Sequence, residues 1–181
     1  MGAANRSAAT ADQRTSTLMA AGADEEREVL ITRLFDAPRE LVFRMWTERG
    51  HVRHWWHPKG FASVVCEEMD VRPGGRLRFR MRLADGKEFL SKSVYREIVR
   101  PELIVYDEDC DEDGTPFHRA RMTITFAAQG DKTLVTTHAR FDWIPDRDPR
   151  WTPEVMRQGL QQGWNDNLDL LVQYLKSVGR T

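Results

Sequence analysis

The stretch "RLRFRMRL" (76–83) alternates charge and apolar residue without a break. That period puts Arg76, Arg78, Arg80 and Arg82 on one face and Leu77, Phe79, Met81 and Leu83 on the other, as a strand with one wet face requires. Around it, from Phe61 to Phe141, the chain reads as strands and tight turns. "FASVVCEEMDV" ends at "RPGG", and "ADGK" carries the Asp-Gly hairpin signal. "EFLSKSVYREIV" and "ELIVYDE" follow, and "RARMTITFAA" and "KTLVTTHARF" flank Gly130-Asp131. Hairpins of this kind give an antiparallel meander rather than parallel crossovers.

One long helix closes the chain. Thr152-Pro153-Glu154 supplies a cap and a first-turn proline. Met156, Leu160, Trp164, Leu168, Leu171, Leu175 and Val178 then recur at spacings of four and three, which makes one apolar face. Such a face needs a sheet to lie on. At the other end "REVLITRLF" (27–35) reads as a strand. "DAPRELVFRMWT" follows as a short helix with Asp36 available to cap, and a second short helix is expected over His51–Trp56, before Pro58. The expected fold is α+β: a curved antiparallel sheet of about six or seven strands wrapped on the C-terminal helix, with two short helices after the first strand.

Residues 1–26 hold little that could be buried, so they are expected to form a disordered tail before one domain at 27–181. Met19 is a candidate start, and the tail has no apolar stretch long enough for a secretory signal. With 27 Lys and Arg against 28 Asp and Glu, the chain lacks the basic footprint of general nucleic-acid binding. No apolar run approaches a membrane span. Two cysteines, Cys66 and Cys110, suit neither a disulfide framework nor a metal site, and agree with a reduced, cytoplasmic setting.

In order along the chain, "RLFDAPRELVF" (33–43), "WWHPKG" (55–60), "DVRPGG" (70–75), "YREIVRPELIV" (95–105) and "GW" (163–164) resemble the START-like (SRPBCC) superfamily. Within it they are similar to the branch named for the activator of heat-shock protein 90 ATPase and to polyketide cyclase-like proteins. The resemblance covers about Glu28 to Val178 and implies a helix-grip fold with a cavity between sheet and long helix. Ser93 departs from it, standing where glycine often bends the strand. Fold alone does not settle function in such a superfamily.

Three functions follow as expectations. The first is binding of a small apolar or aromatic molecule in an internal cavity, to sequester it or protect against it. The second is a cyclase-like or hydrolase-like enzyme using a polar cavity residue, and the third a chaperone-accessory module. The third ranks last, because the co-chaperones of this branch carry a further domain that a 26-residue tail does not supply. The expected ligand contacts are Trp55, Trp56, Leu77, Phe79, Met81, Ser93, Tyr95, Leu160, Trp164 and Leu168. No catalytic residue, cofactor or metal site is assigned. The partner is a small molecule, with a protein partner as the alternative and a monomer or weak dimer as the assembly.

The histidines in "HVRHWWHPKG" (51–60) do not bring three ligands to one side, since Pro58 forces His57 out of helical geometry. "DEDCDEDG" (107–114) lacks the glutamate that closes a calcium loop and is expected to be an acidic hairpin tip. The Arg stripe is expected to be a solvated face paired to acids. His118 and His138 lie on strands without a predictable partner.

Overall fold

The structure is a computed structural model in which residues 27–143 and 152–178 are described; the expected tail at 1–26 lies outside them. The described residues form strand β1 (Glu28–Phe35), helices α1 (Arg39–Thr47) and α2 (Arg49–Val52), strands β2 (Phe61–Met69), β3 (Arg76–Leu83), β4 (Glu88–Val99), β5 (Leu103–Glu112), β6 (Thr115–Gln129) and β7 (Lys132–Trp143), and helix α3 (Pro153–Val178). All seven strands join one antiparallel sheet in the order β1-β7-β6-β5-β4-β3-β2. This is the α+β helix-grip arrangement, with the first strand added beside the last and the two short helices linking the two edges.

The alternation in β3 holds: Leu77 and Phe79 are buried while the arginines face out. Arg80 bridges Glu67 at 2.5 Å and Glu88, and Arg82 reaches Glu88 at 2.9 Å. The outward stripe is thus largely neutralised by neighbouring strands. In β4 the inward set is Phe89, Ser91, Ser93 and Tyr95, all buried. The irregularity of that strand falls between Tyr95 and Glu97, so Ser93 itself sits in regular pairing with Leu77 and Glu108. Gly75 packs so closely that a Cβ there would meet the Asp70 carbonyl oxygen.

Three local expectations are corrected. The second short helix occupies Arg49–Val52 rather than His51–Trp56, because Glu48 breaks the chain out of α1 in an extended conformation and the helix restarts at once. Asp36 does not cap α1; Pro38 holds the cap position with no side-chain bond. The acidic run forms a hairpin tip only at its end. β5 continues to Glu112, leaving only Asp113 and Gly114, both at positive φ, for the turn. Strand geometry then sorts the acids, with Asp107, Asp109 and Asp111 facing out and Glu108 facing in with Tyr106 and Cys110.

Helix α3 starts under a Thr152 cap, whose Oγ1 accepts the Val155 N–H at 3.3 Å. Met156, Trp164, Leu168, Leu171 and Leu175 form its buried stripe. Two polar residues interrupt that stripe and hold the turn after α2. Asn167 Oδ1 accepts the His57 N–H at 2.8 Å, and Asp166 meets Lys59 at 3.2 Å. From the far edge, Arg33 of β1 reaches Asp169 at 2.7 Å. The "HPKG" segment therefore docks the long helix. Among the described residues no helix is long and apolar enough to cross a membrane.

Candidate functional site

Between the inner sheet face and the N-terminal half of α3 lies a cavity of about 260 Å³. Its sheet wall is built by Met81 of β3, Phe89 and Ser91 of β4, Glu108 and Cys110 of β5, and Phe117, His118 and Met122 of β6. Val155, Met156, Leu160 and Trp164 of α3 oppose them, and Trp56, Pro58 and Phe61 close one side. The aromatic rings brace one another. Trp56 stands edge-on to Trp164 at 4.9 Å and stacks on Phe79 at 5.1 Å. Phe89 meets Phe61 at 5.8 Å and Phe117 at 5.3 Å in T-shaped contacts, the favoured geometry for such rings.

A second void of about 20 Å³ lies deeper, large enough for one water rather than a ligand. The ten expected contacts divide between these spaces. Trp56, Met81, Leu160 and Trp164 line the larger one. Trp55, Leu77, Phe79 and Tyr95 line the small void, with Trp56 as the partition. Ser93 and Leu168 line neither and are core residues at 2% and 1% exposure. Trp55 is wholly buried, and its Nε1–H donates to the Met45 carbonyl at 3.0 Å. Burial pushes the Tyr95 phenol far above its ordinary range, so it stays a neutral hydroxyl.

The polar end of the cavity was not legible as a site. Glu108 Oε1 accepts from His118 Nε2 at 3.0 Å, with the two side chains 14% and 9% exposed. A carboxylate only accepts, so the imidazole donates. His118 Nδ1 is buried with no hydrogen-bond partner among the described residues. The ring is held edge-on against Phe117 and Phe141 at 5.5 and 5.6 Å. Ser91 is buried on the adjacent strand, and burial pushes the Cys110 thiol well above its usual range, with Glu108 and Asp111 adding to the effect. Such a pair is equipped to hold a hydrogen-bonding ligand group or to move a proton.

The histidines of the tryptophan segment serve packing. His51 Nδ1 lies 2.9 Å from the Tyr174 hydroxyl, and His54 stacks on that ring at 4.6 Å. His57 Nε2 lies 2.9 Å from the Phe61 carbonyl. Among the described residues no three His, Cys, Asp or Glu side chains are grouped to hold a metal.

Residues 36–176 match the family of activator of Hsp90 ATPase homolog 1-like proteins. The crystal structure of a Chromobacterium violaceum protein is similar at 26% identity and a TM-score of 0.69, over 82% of this chain and 96% of that one. A Rhizobium leguminosarum protein is similar at 24% identity and a TM-score of 0.66, over 83% and 94% of the two chains. The solution structure of an Arthrobacter aurescens protein, at 20% identity and a TM-score of 0.69 over 84% and 88%, shares the fold. No curated protein matches the chain.

Proposed function

This chain belongs to the activator of Hsp90 ATPase homolog 1-like family, and on that premise we propose that it binds a small, largely aromatic molecule between its sheet and its long helix. The observation that carries this reading is the cavity of about 260 Å³, walled by Trp, Phe, Met and Leu side chains with a few polar groups at one end. Ligand sites have this makeup. A dry cavity of about 150 Å³ takes benzene, so this one has room for a bicyclic ring system.

Magnitudes limit how such a ligand is held. Burying about 300 Å² of apolar surface gains about 7 kcal/mol at about 25 cal/mol per Å². Association costs at least about 4 kcal/mol of that. The remaining 3 or so kcal/mol corresponds to about millimolar affinity, so tight binding needs the polar end as well. The test is a fluorescence titration with methylnaphthalene, read through Trp56 and Trp164. Saturable quenching that competes with other bicyclic aromatics is expected. Quenching no different in a Leu160→Trp variant, which fills the cavity, would place the binding elsewhere.

The Glu108–His118 pair favours a second reading, an acid-base enzyme acting on the bound molecule. Turnover lost in His118→Gln with affinity retained separates it from a pure container.

A further inference from the structure

Of the acids in the run 107–112, those facing out have cations. Asp107 pairs with Arg96 and Arg121, Asp109 with Arg119, and Asp111 with Lys92. At the end of the strand, Glu112 takes Lys87. Glu108 alone faces the cavity, and among the described residues no lysine or arginine reaches it. His118 occupies Oε1, whereas Oε2 has no hydrogen-bond partner among the described residues and is not sealed off by packing. A carboxylate set in an apolar wall is costly unless its oxygens are paired, and here only Oε1 has a partner among the described residues.

The rest of the wall selects for the same sign. Among the described residues no lysine or arginine lines the cavity, so Glu108 sets the sign of the charge that this wall presents. Aromatic faces are the negative side of the ring quadrupole and accept a cation. Trp56, Phe61, Phe89, Phe117, Phe141 and Trp164 surround the same space.

We propose that the ligand carries a protonated amine on an aromatic body, with the ammonium seated on Glu108 Oε2 and the rings against Trp56 and Trp164. This rests on the binding reading above and adds the chemical class of the ligand. Ser91, on the strand beside β5, also lines the cavity, and its hydroxyl oxygen can accept a hydrogen bond from a second ammonium N–H. A charge-assisted contact of this kind supplies the affinity that apolar burial lacks.

The test uses four probes on one ring system at neutral pH, all as the α isomers: naphthylmethylamine, naphthylmethanol, methylnaphthalene and naphthoate. Calorimetric titration of the full chain should rank the amine at least about tenfold tighter than the alcohol, with naphthoate weakest. Glu108→Gln should bring the amine down to the level of the alcohol and leave methylnaphthalene unchanged. An amine no tighter than the alcohol, or a ranking that survives Glu108→Gln, overturns the assignment and leaves the cavity reading standing. Failure of all four probes overturns the cavity reading itself. Should Glu108→Gln not fold, the ranking in the unaltered protein decides the matter alone.

Discussion

Glu108 and His118 meet at 3.0 Å although they are not partners in the β5–β6 register, where His118 pairs with Cys110 and Glu108 with Ala120. The contact is a diagonal across the hairpin, on the face turned toward α3. It joins two polar side chains of the cavity wall, at 14% and 9% exposure.

Removing one member of this pair should be worse than removing both. His118→Leu leaves a carboxylate in an apolar wall and is expected to cost about 2–3 kcal/mol. Adding Glu108→Leu should recover most of that. Urea unfolding of the two variants reads the difference, and a double variant no more stable than the single would mean the pair contributes little.

Two glycines should answer alanine with opposite signs. A Cβ at Gly75 would come 2.0 Å from the Asp70 carbonyl oxygen, so Gly75→Ala must displace backbone and should be strongly destabilising. A Cβ at Gly159 meets nothing within 4 Å, and the residue lies inside α3 beside the cavity. Gly159→Ala should therefore stabilise by about 0.5–1 kcal/mol. Thermal or urea midpoints distinguish the two.

The cysteines should be poor nucleophiles in the folded protein. Burial raises the thiol of Cys110 strongly and that of Cys66 less so, so neither is appreciably a thiolate near neutral pH. Labelling by a disulfide reagent at mildly alkaline pH should follow unfolding at Cys110. Prompt labelling of Cys110 in native protein would show that the cavity wall opens.

Acid should loosen the outer face of the sheet. Hydrogen bonds from Arg121 and Arg96 hold the Asp107 carboxyl below its ordinary range. A depressed folded value means that the stabilisation is complete above the unfolded value of about 4 and is lost as pH falls through the lower folded value. Asp107→Asn should flatten the loss of stability below about pH 4, by a small amount because the arginines are exposed and screened. An unchanged acid-unfolding curve would rule Asp107 out as a contributor.

Much of this architecture was legible because its signals are local. Period two in β3, the Asp-Gly turn and the spaced apolar residues of α3 each name an element without knowledge of the rest. The cavity was not legible in the same way, since Trp55 and Trp56 look alike in sequence. One proves to be sealed core hydrogen-bonded to Met45, and the other a partition between two spaces. Glu108 was hidden by company: six acids within seven residues suggest a wet loop. Carrying the alternation of Ile104 and Tyr106 one step further would have turned Glu108 inward. Phe61, Phe89 and Phe117 belong to the wall through contacts between distant strands, which no local pattern encodes.

The most direct test is nuclear magnetic resonance of isotope-labelled protein titrated with methylnaphthalene. The account predicts that the indole N–H signals of Trp56 and Trp164 shift saturably, together with backbone signals of Phe61, Ser91 and Leu160. The indole of Trp55, bonded to the Met45 carbonyl, should stay in place. No shifts up to the solubility of the probe, or shifts scattered over the outer sheet face, would contradict a ligand cavity between sheet and helix.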